Sequence, residues 1–158
     1  MNWNQHALVC LFLTGFGAAV GSFVNVCVYR IPNGLSLLWP RSHCPICRQP
    51  VAMRDNVPIL GWLLLRGRCR HCRMPISLRY PLVETVVALI LPVLYLLEAA
   101  CSNTDPLEGD LVASLVRLFG RFFLATSFLT AVLIGLDRRA RVCHPSKSAC
   151  SGWPSASG

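Results

Sequence analysis

Charged side chains are scarce in this chain of 158 residues: they make up 14% of it, only seven residues are acidic, and Lys147 is the only lysine. A soluble domain normally carries about a quarter charged residues, so this scarcity excludes an ordinary soluble protein. Hydrophobic residues account for 54% of the chain. The composition therefore indicates a membrane protein.

The net charge of +8 would also suit a nucleic-acid-binding protein. However, most of the arginines lie in one loop between two apolar segments, which is typical of membrane topology. We therefore expect a lipid bilayer as a partner and no nucleic acid.

Three apolar segments are long enough to span a hydrocarbon core, which requires about 20 helical residues. They cover residues 7–29, 82–100 and 111–136. The first could instead be a signal peptide, although no basic residue precedes Arg30. The third contains Arg117 and Arg121 one helical turn apart, which makes it the least regular of the three.

The charges of the short loops predict the orientation of the protein in its membrane. The loop between the first two spans contains one acid, Asp55, and many arginines: Arg30, Arg41, Arg48, Arg54, Arg66, Arg68, Arg70, Arg73 and Arg79. The connection "CSNTDPLEGD" between the second and third spans is acidic, and the tail is basic. Because basic loops stay in the cytoplasm, residues 30–81 and the C-terminal tail should be cytoplasmic.

Two Cys-x-x-Cys pairs lie in the arginine loop, at Cys44 and Cys47 and at Cys69 and Cys72. In the reducing cytoplasm such pairs typically hold a tetrahedral zinc ion with four thiolates, and a closed site of this kind is structural. Two alternatives are disulfides, if the topology is inverted, and a site emptied by oxidation. His43 and His71 adjoin the pairs and are alternative ligands.

Small residues recur on one face of the first span. Gly17, Gly21 and Asn25 are four positions apart, which favours close packing against another membrane helix. Further membrane helices outside this chain are also candidate partners for that face.

Several segments in order resemble the amino-terminal half of the type 4 prepilin leader peptidases. They are "GSFVNVCVYRIP", "RSHCPICRQP", "RDNVPILGWLLLRGRCRHC" and "PISLRYPLVE", and the resemblance extends from about residue 15 to residue 137. It covers about the first half of a typical family member, so the chain looks like a truncated one. The resemblance implies an aspartic endopeptidase of the inner membrane that serves type IV pili and type II secretion. It would cleave the basic leader of prepilin-like substrates, and in many members also methylate the new amino terminus with S-adenosylmethionine.

Candidate site residues follow from this resemblance and from charge. Asp137, in "VLIGLDRRARVCHP", fits the first aspartate of the family's catalytic pair. The second aspartate belongs to a Gly-x-Gly-Asp motif that this sequence lacks, and "LEGD" at Asp110 resembles that motif only superficially. A non-catalytic Asp137 would instead be an interfacial acid neutralised by Arg138, Arg139 and Arg141.

Asp55 and Glu84 are candidates to contact a cationic leader or the new amino terminus. Alternatively, Asp55 caps a turn and Glu84 pairs with Arg79 or Arg30. A third alternative concerns the whole chain, which would then be an inactive remnant or a non-enzymatic zinc-bearing membrane module that binds leaders.

Together these observations predict an all-α integral membrane protein with about three transmembrane helices and a zinc-ribbon-like cytoplasmic insertion between the first two. The expected boundaries are a first helix at 1–29, the four-cysteine module at 30–81, the second and third helices at 82–142, and a disordered tail at 143–158.

Overall fold

The computed structural model describes residues 3–39, 42–44, 46–102 and 111–143. It contains four α-helices: α1 (Trp3–Arg30), the short α2 (Leu60–Leu64), α3 (Arg79–Ser102) and α4 (Leu111–Cys143). Two 3-10 turns, Ile31–Asn33 and Met53–Asp55, lie between α1 and α2. This part of the chain has two isolated β-bridges and no strand, which confirms the predicted all-α class.

Three of the helices are long and apolar enough to cross a membrane, over Trp3–Asn33, Arg79–Ala100 and Val112–Arg138. Many of their large apolar side chains are exposed, including Leu11, Phe12, Leu124 and Phe128. Such exposure suits helices whose solvent is lipid. The protein is therefore a multi-pass membrane protein.

The helices are longer than the apolar runs that predicted them. Helix α1 begins at Trp3 instead of Ala7, and α4 continues to Cys143 instead of ending at Leu136. The hydrocarbon core limits only the apolar part of a helix, and good helix formers such as arginine extend it into the aqueous layer. Pro92 lies inside α3, which continues beyond it.

Close packing between α1 and α3 forms the centre of the bundle. A Cβ added at Gly17 would lie 2.9 Å from Ala88 Cα, and one added at Gly21 would lie 2.9 Å from Glu84 Cα. Asn25 Nδ2 donates a hydrogen bond to Tyr80 O at 3.0 Å. The predicted small-residue face of α1 therefore finds its partner within the chain, in an antiparallel helix.

Helix α4 completes the core with Phe122, which is fully buried with Val87 and Leu91 of α3. Because α1 and α3 are antiparallel, the end of α1 and the start of α3 lie together. The 31–78 segment that joins them, the cysteine module, therefore lies at that end of the bundle. The predicted tail falls outside the described residues, except for Cys143 at the end of α4.

Candidate functional site

The first pair of cysteines lies in a tight turn. Cys44 O accepts a hydrogen bond from Arg48 N at 2.9 Å, and Cys44 N donates to Gln49 O at 3.0 Å. Arg48 has a φ of 58°, the left-handed conformation that lets the chain turn back after the second cysteine. The turn carries Cys44 and Cys47 on one side.

The second pair repeats this geometry 25 positions later. Cys69 O accepts from Arg73 N at 3.0 Å, Cys69 N donates to Met74 O at 2.9 Å, and Arg73 also has a φ of 58°. Each turn is also closed by an isolated antiparallel β-bridge at the same relative position, between His43 and Pro50 in the first and between Arg68 and Pro75 in the second. The sequence signal for this duplication is Cys-x-x-Cys-Arg-x-Pro, which occurs at residues 44–50 and again at residues 69–75.

The two turns bring four thiols together. Cys44 Sγ lies 3.7 Å from Cys72 Sγ, and Cys47 Sγ lies 3.9 Å from Cys69 Sγ. All four sulfurs lie within 4.8 Å of one another and none forms a disulfide. Among the described residues this cluster contains only these cysteines, and neither His43 nor His71 belongs to it.

These distances fit a metal ion. Four sulfurs at about 2.3 Å from a tetrahedral zinc ion would lie about 3.8 Å apart, whereas a disulfide requires about 2.05 Å. The donor set is also suited to zinc, because thiolates are its usual ligands in closed structural sites. The cluster can therefore hold a metal ion.

The pKa values of the two thiols in the second turn are shifted in opposite directions. Backbone N–H groups of Cys72 and His71 donate to the Cys69 sulfur and lower the pKa of that thiol to about 6. The Met74 N–H lowers the pKa of Cys72, but burial and the thiols of Cys69, Cys44 and Cys47 outweigh it and raise that pKa to about 11. The neighbouring thiols thus favour the ionisation of Cys69 and oppose that of Cys72. A bound cation would favour the thiolate form of its ligands.

Asp55 lies at the end of a 3-10 turn and forms a two-pronged ion pair. Arg70 Nε and Nη2 donate to its two carboxylate oxygens at 2.7 and 2.6 Å. The hydrogen bond from Arg70 is the main reason why the pKa of Asp55 is below its usual value. Since Arg70 lies between Cys69 and Cys72, this pair braces the second cysteine turn.

Glu84 is 8% exposed and connects the module to α3. Its Oε2 accepts a hydrogen bond from Ile59 N at 2.7 Å, and Ile59 has a φ of 62°, which is unfavourable for a β-branched residue. The buried carboxylate thus fixes a strained backbone just before α2. The alternative pairing of Glu84 with Arg79 is absent from the described contacts, because Arg79 contacts α4.

Asp137 lies in α4, at the same end of the bundle as the cysteine module. Arg79 Nη1, in the first turn of α3, lies 2.5 Å from Asp137 Oδ1, and the Asp137 side chain is 28% exposed. This partner comes from another helix and was not predicted; the sequence suggested Arg138, Arg139 and Arg141, and Arg138 is exposed. Asp110 lies outside the described residues.

A comparison with known protein families shows to which family the chain belongs. The model of the family described as "Bacterial Peptidase A24 N-terminal domain" matches residues 16–97, which include the second half of α1, the cysteine module and most of α3. The chain belongs to this family. The A24 match confirms the resemblance seen in the motifs around the cysteine pairs.

Curated relatives carry the corresponding names. The chain is similar to a "Prepilin leader peptidase/N-methyltransferase" of Klebsiella pneumoniae, with 46% identity over 84% of this chain and 53% of the relative. A protein of the same name from Myxococcus xanthus is 49% identical over 52% of this chain and 25% of the relative. A "Type 4 prepilin-like proteins leader peptide-processing enzyme" of Escherichia coli is 45% identical over 46% of this chain and 34% of the relative.

The A24 chain therefore spans about half the length, or less, of these curated relatives. No solved structure matches it.

Proposed function

We propose that this A24-family chain contributes to a prepilin leader peptidase, which cleaves the basic leader from type IV prepilin-like proteins. The names of the curated relatives support this substrate class. The observation that carries the proposal is the position of Asp137, which pairs with Arg79 at the end of the bundle that bears the cysteine module. The proposed site of leader cleavage, at Asp137, would thus lie at the same end of the bundle as the cysteine module.

Asp137 is proposed as one carboxylate of an aspartic pair. In such a pair the carboxylates share one proton, so that one activates water while the other protonates the scissile carbonyl or the leaving group. Arg79 would position Asp137 through its hydrogen bond to Oδ1. The family resemblance implies that the second carboxylate would come from a Gly-x-Gly-Asp motif.

Zinc is the metal proposed for the four-cysteine cluster. Cys44, Cys47, Cys69 and Cys72 would all be ligands, which leaves no open position for a substrate or water. The ion would therefore stabilise the module, which is too small to bury a large core of its own. We expect no step of peptide cleavage to occur at the metal.

The proposed location is the bacterial inner membrane, with the module and the end of α4 facing the cytoplasm. The concentration of arginines in the module supports this orientation. An uncut leader in the cytoplasm would then meet Asp137 and the module on the same side. Asp55 and Glu84 are the acids of that side proposed to contact the leader. Asp55 would have to exchange Arg70 for a cation of the substrate. Glu84, which is 8% exposed and bonded to Ile59 N, would have to become accessible.

Methylation of the new amino terminus is the proposed second activity, with S-adenosylmethionine as methyl donor. The word "N-methyltransferase" in the names of the Klebsiella and Myxococcus relatives supports it. Binding of radiolabelled S-adenosylmethionine to the purified chain tests this assignment, and cleavage without such binding would separate the two activities.

The peptidase proposal is tested with membranes that contain this chain together with a separately expressed segment of a longer relative that carries the Gly-x-Gly-Asp motif, incubated with a prepilin substrate. Shortened product should form with the natural chain, disappear with Asp137→Asn, and persist with Glu98→Gln, a control at a different ion pair. Cleavage that is indifferent to Asp137→Asn would remove this residue from the mechanism. Binding of the leader without any cleavage would instead favour a non-enzymatic module.

A further inference from the structure

An open groove beside the cysteine cluster is lined mainly by arginines. Its volume is about 590 Å³, and its walls contain two leucines, Cys69 and four arginines: Arg66, Arg68, Arg70 and Arg73. A groove with so many guanidinium groups favours a negatively charged occupant.

Most of this positive charge is not neutralised by the protein. Arg70 is paired with Asp55, but no carboxylate in the described parts of the chain lies within salt-bridge distance of Arg66, Arg68 or Arg73. All three of these arginines are exposed. Guanidinium groups are well suited to bind phosphate oxygens with two parallel hydrogen bonds.

One edge of the groove is apolar. Leu64 lines the groove and is 77% exposed, and its neighbours Leu60 and Leu63 on α2 are also exposed. Exposed leucines beside a basic groove are typical of elements that lie in a membrane interface, where the apolar side chains enter the acyl boundary.

The depth of α2 relative to the bundle can be derived from one contact. Ile59, directly before α2, is bonded to Glu84, which lies five residues or about 7.5 Å into α3. The spanning part of α3 begins at Arg79. Each polar headgroup layer is about 5–7 Å thick, so the start of α2 lies within about one headgroup thickness of the first residue of the α3 span.

We propose that this groove binds the phosphate of an anionic phospholipid, while Leu60, Leu63 and Leu64 enter the adjoining lipid layer. The module is then attached to the bilayer surface through the groove as well as through α1 and α3. A basic peptide is excluded by charge, and a soluble phosphate would leave the leucines exposed to water. The proposal depends on the membrane spans and is independent of peptidase activity.

The test uses the full chain in nanodiscs of pure phosphatidylcholine and in nanodiscs that also contain phosphatidylglycerol. Hydrogen–deuterium exchange of the amides of residues 60–73 should be severalfold slower in the anionic discs. Each arginine near an anionic surface contributes roughly fivefold to attachment, so the variant Arg66→Gln/Arg68→Gln should lose most of this difference. The matched control, Arg48→Gln/Arg54→Gln, removes the same charge away from the groove and should retain it.

Three results would overturn the proposal: equal exchange in the two lipids, an equal loss in the control variant, or full protection by glycerol phosphate added to phosphatidylcholine discs. The last result would identify the groove as a site for soluble phosphate esters. Metal content of each variant is measured in parallel, so that loss of the cysteine cluster is recognised as a separate cause.

Discussion

Arg79 and Asp137 join the first turn of α3 to the last third of α4, with 2.5 Å between Nη1 and Oδ1. The two residues are 58 positions apart. This ion pair fixes the proposed catalytic carboxylate at the end of the bundle that carries the cysteine module.

Replacing Arg79 with Gln should reduce prepilin cleavage and loosen α4. Since the pair is partly exposed, its loss should cost about 1 kcal/mol of stability at most. The rate of cleavage should fall by more than the loss of stability explains, because Asp137 loses the group that orients it. Thermal unfolding and cleavage assays measure the two effects, and Arg117→Gln is the control at a comparable surface ion pair. Equal losses of activity in the two variants would show that Arg79 does not position Asp137.

The contact between α1 and α3 should not tolerate a side chain at Gly17 or Gly21. A Cβ at either position would lie 2.9 Å from a backbone atom of α3, and such overpacking typically costs about 1–3 kcal/mol. Gly15→Ala is the matched control, because no atom lies within 4 Å of its added Cβ. In detergent, Gly17→Ala and Gly21→Ala should each have a lower free energy of unfolding than Gly15→Ala. Equal stability of all three variants would exclude the packing described.

Glu84 should be essential for the position of α2. Its replacement by Ala leaves the partly buried Ile59 N–H without its acceptor, and an unsatisfied donor costs about 1–3 kcal/mol when it is buried. Hydrogen–deuterium exchange of the α2 amides should be faster in Glu84→Ala, whereas Glu98→Ala should leave the exchange rates unchanged. Unaltered exchange in Glu84→Ala would mean that another contact holds α2.

The purified protein should contain one zinc ion per chain. Cys69→Ser or Cys72→Ser should remove it, because three thiolates hold the ion less tightly than four, and Cys10→Ser in α1 should not. Elemental analysis by mass spectrometry measures the ratio. Retention of full metal content in Cys69→Ser would exclude a four-thiolate site.

Local sequence signals predicted much of the architecture. The lengths of the apolar runs gave the three spans, the paired cysteines gave the cluster, and the spacing of Gly17, Gly21 and Asn25 gave the packing face. Each of these features repeats at short range, so periodicity and spacing reveal it.

The contacts that organise the candidate site were not predictable in this way. The pairs Arg79–Asp137 and Ile59–Glu84 connect different elements, and no spacing rule selects one arginine among many as the partner of Asp137. The positive φ of Ile59 is unfavourable for a β-branched residue, so the surrounding contacts must hold this conformation. Such features require the tertiary structure.

The central claim is that the cysteine module and Asp137 face the cytoplasm, where an uncut leader would lie. A membrane-impermeant maleimide applied to spheroplasts tests it directly, with Arg54→Cys in the module and Trp3→Cys at the other end of α1, where Trp3 is 86% exposed. The account predicts that position 3 is labelled in intact spheroplasts and that position 54 is labelled only after lysis. Labelling of position 54 in intact spheroplasts, with position 3 protected until lysis, would contradict it.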